Sequence, residues 1–463
     1  MTQNSTVADP SQTVHDHKQF LGHPVGLFVL FFTEMWERFS YYGMRALLVL
    51  YLTKYLIAST ESGNYVFGFA PLRHLLESMH GPLTVQPLSS HIYGLYTAFV
   101  YLTPFFGGLI ADRYWGQRRT VYVGGVLMAI GHFLMAMESA FLIALLFLIV
   151  GNGCFKPNVS TQVGSLYPPG DSRRDSAFTI FYMGVNLGAV LSPLVCGTLG
   201  QVYGWHYGFG AAGVGMVVGL AFYAWGQKYL AEDKIHLDED AHVQEAPLTQ
   251  PEKKAIWGLV ALAALNIVFW AVYEQQGNTI QIFADSNTDW HIFGFEMPST
   301  WFQSVNPLFI FIMGPVVIWF WGLQSKWKKE TGSVAKMAIG CVLLGLSFLV
   351  MMFVTKGLGA TDKISFMWLV LTTFIFTVGE LYLSPVGLSL VTKAAPARYV
   401  SMMMGMWYLS SFFGNYLSGY IGAFYESMSR DSFFLMLVAL GVGSGLVIFA
   451  LEKPVQKAVG QSL

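Results

Sequence analysis

Between residues 34 and 45, an apolar stretch long enough to cross a bilayer reads Glu34, Met35, Trp36, Glu37, Arg38, Phe39, Ser40, Tyr41, Tyr42, Gly43, Met44, Arg45, and four of these residues are charged. At 100° per residue, Glu34, Glu37, Arg38, Tyr41 and Arg45 share one helical stripe, while Met35, Trp36, Phe39 and Leu47 fall elsewhere. A charge at bilayer depth costs roughly 2.5 to 3.5 kcal/mol even on the gentlest scale, so the stripe must face a bundle interior or a water-filled path. The chain therefore reads as a transporter or channel.

The composition agrees: 54% of the 463 residues are hydrophobic and only 11% are charged, against about 25% charged in a soluble domain. Twelve apolar segments of spanning length fall near 24–57, 90–112, 118–136, 139–166, 175–200, 206–230, 253–284, 303–325, 334–355, 362–393, 397–425 and 432–452. The expected fold class is an all-α polytopic membrane protein. Several segments exceed the roughly 20 residues that span a bilayer, so tilted or bent helices are expected, with kinks near Pro104, Pro157, Pro193, Pro307 and Pro385.

Lys and Arg collect on one side of this topology. With both ends inside, the inner loops hold Arg113, Arg118, Arg119, Arg173, Arg174, Lys228, Lys234, Lys253, Lys254, Lys326, Lys328, Lys329, Lys393 and Arg398. The outer side holds only Lys54, Arg73, Lys356, Lys363 and Arg430, and positive loops stay cytoplasmic. The chain is expected to divide into an N-terminal tail (1–23), a six-helix bundle (24–230), a polar linker (231–252), a second six-helix bundle (253–452) and a C-terminal tail (453–463). The first 22 residues have no signal-peptide pattern. Within the outer loop 58–89, the run LRHLLESMH suits a short surface helix. A net charge of −1 without a basic run offers nothing to nucleic acid. Cys154, Cys196 and Cys341 fall in separate spans and suggest neither disulfides nor a metal site.

After the second span, Gly107, Gly108, Ala111, Asp112, Arg113, Gly116, Arg118 and Arg119 form a GGxxADRxxGxRR pattern. It resembles the loop motif of the major facilitator superfamily, whose fold has six plus six helices. Residues 34–43 read ExxERFxYYG, which resembles the signature of the proton-dependent oligopeptide transporters within that superfamily. Further resemblance lies in Phe178 to Ala189 (FTIFYMGVNLGA), in Lys156, Pro157 and Asn158, and in Phe269, Trp270, Glu274, Gln275, Gln276 and Gly277. It continues through Asn306 and Pro307, then Gly379, Glu380, Leu381, Ser384 and Pro385, and Trp407. The resemblance covers roughly residues 24–452. It implies a di- and tripeptide symporter of the inner membrane that uses the proton as coupling ion and needs no other cofactor.

The residues have a physical reading of their own. Lys156 is an ammonium in an apolar run and needs a carboxylate; Glu34, Glu37 and Glu380 are the candidates. Arg38 and Lys156 can hold a carboxylate and Glu380, with Ser384 one turn on, can hold an ammonium, which matches the two ends of a zwitterionic peptide. Tyr41, Tyr42, Tyr101, Tyr182, Asn186, Asn306 and Trp407 would supply hydrogen bonds and adaptable aromatic walls. Arg45 and Glu274 sit toward the outer ends of facing helices and suit a gate.

Two departures from the family pattern stand out. Mammalian members have a histidine on the second helix where this chain has Gly94, and of the 11 histidines only His132 lies well inside a span, so the proton is expected on Glu34 or Glu37. Many bacterial members insert two helices between the halves, and the linker here is too short to hold them. The rival readings are a carrier of nitrate or another small anion, which would not want Glu380, and a sensor that binds peptide without moving it. An intramembrane enzyme is not expected, since no HExxH, nucleophile elbow or metal cluster appears. The expected partners are peptides, protons and membrane lipids, with the monomer as functional unit.

Overall fold

The computed structural model describes residues 18–168, 171–233, 248–292, 294–327, 331–359, 361–396 and 399–459. Most of the linker 231–252, both tail ends, and Lys234, Lys328, Lys329 and Arg398 lie outside the described residues.

Among the described residues, twelve long helices follow one another: α1 Val25–Tyr51, α2 Val85–Trp115, α4 Glu138–Ser165, α5 Arg173–Tyr203, α6 Trp205–Tyr229, α7 Gln250–Ser286, α8 Ser299–Lys326, α9 Ser333–Thr355, α10 Phe366–Ala394 and α12 Arg430–Lys457, with α3 Gln117–Leu134 and α11 Val400–Gly422. Nine of them are long and apolar enough to cross a membrane. The other three are more polar: α1 carries the charged stripe, α3 opens on Arg118 and Arg119, and α11 buries Ser410, Ser411, Asn415 and Ser418. Helices α2, α4 and α10 run unbroken through Pro104, Pro157 and Pro385. At Pro193 the α5 backbone opens into wider turns instead. The surface helix is present, as Phe69–His80.

Two hydrophobic cores form among the described residues. One draws on residues from Leu27 to Leu230, the other on residues from Leu259 to Val455. The first half packs α1 against α5 and α6, and α2 and α3 against α4; the second packs α9 against α10 and α12, and α7 against α11 and α12. Across the halves α2 meets α11 and α5 meets α8. Small residues permit the closest approach. A Cβ on Gly94 would lie 2.6 Å from the Gly419 Cα, so the two backbones touch and no side chain fits at either position. That is a steric reason for the absence of a histidine at residue 94.

The turn between α2 and α3 is closed by a residue distant in sequence. Gly116 takes a positive φ of 75° to turn the chain, and the carboxylate at the start of α3 comes from Asp233, which accepts from the Arg118 backbone N–H at 3.1 Å. Asp112 is exposed. Arg118 does not simply face solvent: its guanidinium donates to the carbonyls of Leu230 (2.5 Å) and Ala231 (2.7 Å) and so closes the end of α6. Helix α7 restarts after the linker with a capping box between Thr249 and Glu252.

Candidate functional site

The stripe on α1 is buried in full: Glu34 is 3% exposed, Glu37 0%, Arg38 3%, Tyr41 4% and Arg45 9%. Its residues serve two separate clusters. In the first, the Arg38 guanidinium pairs with Glu34 at 3.1 Å and with Glu37, and lies 5.2 Å from the centre of the Tyr41 ring. Asn152 on α4 donates to the other oxygen of Glu37 at 3.3 Å. One oxygen of Glu34 and one nitrogen of Arg38 are buried without a partner. Such groups are costly to leave unpaired and tend to mark sites where a proton or ligand is exchanged.

Lys156 departs from expectation. It reaches none of Glu34, Glu37 or Glu380 within 4 Å, and its ammonium instead sits 4.8 Å from the centre of the Tyr101 ring. Arg38, on the same helix as both glutamates, pairs with each of them, and Asn306 donates to Glu380 at 2.9 Å.

The second cluster joins the halves. Arg45 pairs with Glu274 at 2.5 Å and donates to the Tyr93 hydroxyl at 2.8 Å, which in turn lies 3.5 Å from Glu274. Sequence position had placed these two residues at facing ends, and the fold brings them together. They form part of the wall of a cavity, which also presents Tyr42, Tyr101, Tyr182, Asn186, Asn306 and Glu380. Tyr273 and Thr377 steady Asn306, at 3.5 and 3.0 Å, and Asn306 steadies Glu380. Tyr182 is half exposed.

Other expected site residues stand outside this wall. Arg38 and Tyr41 belong to the first cluster and Lys156 lies behind Tyr101. Trp407 is buried between α10 and α11, where it occupies the space a Cβ on Gly387 would need. Ser384 is half-buried on α10 and does not line the cavity. The cation in this wall is thus Arg45, where the sequence pointed to Arg38 and Lys156.

Trp270 and Gln276, which carried the family resemblance without an assigned role, and Gln303, which no sequence signal had marked, complete the wall. Gln303 donates to the Gln276 carbonyl and to Gln281, both at 2.8 Å. Above the cavity the halves are laced at one end. Gln201 on α5 donates to Asp285 (3.2 Å) and Ser299 (2.8 Å) and accepts from the Thr300 N–H (3.1 Å) and hydroxyl (2.8 Å). All four hydrogen-bonding positions of this one amide therefore cross the seam. Lys54 pairs with Asp285, and Trp301 donates to Thr198 at 2.8 Å. On the far side, Ser90 donates to Asn278 (2.9 Å) and Gln86 to the Gly422 carbonyl (3.0 Å). This end of the molecule is closed.

The chain matches the model described as POT family over residues 118–248 and 240–436. It is 35% identical to the uncharacterized transporter YclF of Bacillus subtilis (strain 168), a match covering 96% of both chains. It is 31% identical to a di-/tripeptide transporter of Lactococcus lactis subsp. cremoris, over 96% of this chain and 98% of that one. A solved structure of a mutant peptide transporter POT in complex with alafosfalin is similar with a TM-score of 0.85 and 33% identity, covering 97% of this chain and 99% of that one.

Proposed function

The chain is a membrane protein of the POT family, and from that premise we propose that it carries di- and tripeptides into the cell together with protons. The observation that carries this reading is the bipolar wall: Arg45 and Glu380, from opposite halves, border one cavity. A cation and a carboxylate facing one space suit a zwitterion, whose ammonium Glu380 would receive. Glu380 in the wall speaks against a carrier of small anions, which would gain nothing from a buried negative charge.

Alternating access is supported by the position of the seal. The lacing lies at one end of the cavity, so rocking of the halves about the midplane would exchange the closed end for the other. The proton is assigned to Glu34 or Glu37. Two buried carboxylates share one guanidinium, and a proton on one of them leaves the remaining charges matched one to one. The location is the plasma (inner) membrane with both termini cytoplasmic, supported by the Lys and Arg bias, which puts the closed end outside. The monomer, surrounded by lipid, is the proposed working unit, because each half contributes to the one cavity.

Counterflow in proteoliposomes with a small dipeptide library, run with and without a proton gradient, tests the proposal. Peptide exchange without a gradient and accumulation with one is the expected pair of results. Binding without exchange would instead identify a sensor.

A further inference from the structure

His80 and His91 come from different elements and stack face to face, their ring centres 4.3 Å apart and their planes 18° from parallel. His80 ends the surface helix; His91 lies in the second turn of α2, is 5% exposed, and belongs to the span because α2 starts at Val85. Tyr420 of α11 packs on both rings, at 5.7 and 6.3 Å. The pair therefore sits where three elements and both halves meet. It is close to the tightest point of the seam: His91 precedes Gly94 by one turn, and Tyr420 follows Gly419 directly. Nε2 of His80 is buried without a partner.

We propose that this stacked pair is a proton-sensitive clasp on the closed end. Neutral imidazoles stack favourably, and one added proton is tolerated by the aromatic partner. A second proton places two cations face to face in a poorly hydrated seam, and they repel. The groups around the pair do not offset that charge. On the surface helix, Glu77 is engaged by Arg73 at 2.9 Å, and His74 adds no negative charge. On α2, Ser90 is neutral and bound to Asn278 of α7. Beyond α11, Glu426 accepts from Thr84 at 2.6 Å, and Tyr420 offers only a phenol ring.

The surface helix turns at both ends on glycine. Gly68 and Gly81 bracket it with φ values of 78° and 81°, a left-handed backbone that glycine adopts without strain. Acid at this face would thus release the helix and loosen α2 from α11. The inference uses the orientation proposed above, since the closed end must be the one that meets external acid.

The test places spin labels at Leu75→Cys, on the exposed face of the surface helix, and Ser427→Cys, beyond α11, in the full-length protein in nanodiscs. Distance distributions are read from pH 8 to pH 4 without peptide. The clasp predicts a growing long-distance population on acidification. His80→Gln and His91→Gln should each remove more than half of that growth. His80→Phe, which keeps a stacked ring without a proton site, should stay closed at both pH values and guards against simple loss of packing. An unvarying distance in the parent, or an acid response that persists in His80→Phe, overturns the proposal. Since no peptide is present, failure of the clasp leaves the transport proposal untouched, and failure of counterflow leaves the clasp standing.

Discussion

Lys156 presents its ammonium to the face of Tyr101, 4.8 Å from the ring centre, and pairs with no carboxylate within 4 Å among the described residues. A cation over an aromatic face is held by about 0.5 to 2 kcal/mol, less than a buried ion pair would supply, so Lys156 is the cation most easily drawn to an incoming carboxylate or to a glutamate freed by Arg38. Lys156→Ala should abolish proton-driven accumulation in proteoliposomes, while Tyr101→Phe keeps the ring and should retain most of it. Undiminished accumulation by Lys156→Ala would remove Lys156 from the coupling scheme.

Glu37 is fully buried, shares Arg38 with Glu34, and accepts from Asn152. Replacing it with Gln keeps the shape and deletes a charge. Peptide exchange should persist in counterflow, whereas concentration against a gradient should fail. If both are lost together, Glu37 acts in the architecture of the cluster and not in proton transfer.

Arg45 and Glu274 tie α1 to α7 in a buried pair. Removing one partner leaves the other uncompensated, at a cost of roughly 3 to 5 kcal/mol, and should shift the population away from the closed end. Glu274→Gln and Arg45→Gln should each raise the accessibility of engineered cysteines on that side by more than about tenfold, the equivalent of 1.4 kcal/mol. Charge reversal at both positions should recover part of the closed population; a double variant no better than either single one would show that the two do not act as a pair.

Gly94 meets Gly419 backbone to backbone. Gly94→Ala forces the helices apart, an overpacking that costs about 1 to 3 kcal/mol, and Gly94→His should be worse. Thermal unfolding in detergent should fall for both, in that order. Unchanged stability of Gly94→His would mean that α2 and α11 separate easily at this level.

Much of this architecture was legible in the sequence because helical periodicity and apolar length are local signals. The charged stripe announced its own burial, the twelve spans emerged within a few residues, and LRHLLESMH gave the surface helix. Arg45 and Glu274 could be matched because topology alone sets their depth. What stayed hidden depends on which distant residue reaches a group first. Lys156 settles over Tyr101 while Arg38 pairs with Glu34 and Glu37, Asp233 reaches the start of α3, and Gln201 meets Asp285, Ser299 and Thr300 across the seam. No periodicity encodes such pairings, and a glutamine on a helix carries no motif. The stacked histidines belong to the same class, since they join a loop helix to a span.

In the proposed reading the cavity binds both ends of a peptide, and Glu380 would receive the amino end. Held by Asn306 in the wall, its carboxylate would pair with a substrate ammonium in a poorly hydrated space, where loss of one partner costs roughly 3 to 5 kcal/mol. The direct measurement compares binding of a dipeptide and its amino-blocked analogue to the parent protein and to Glu380→Gln. The account predicts that the parent prefers the free amine strongly and that Glu380→Gln loses most of that preference while its binding of the blocked analogue changes little. A parent indifferent to the blocking group, or a Glu380→Gln protein that keeps the full preference, would contradict it.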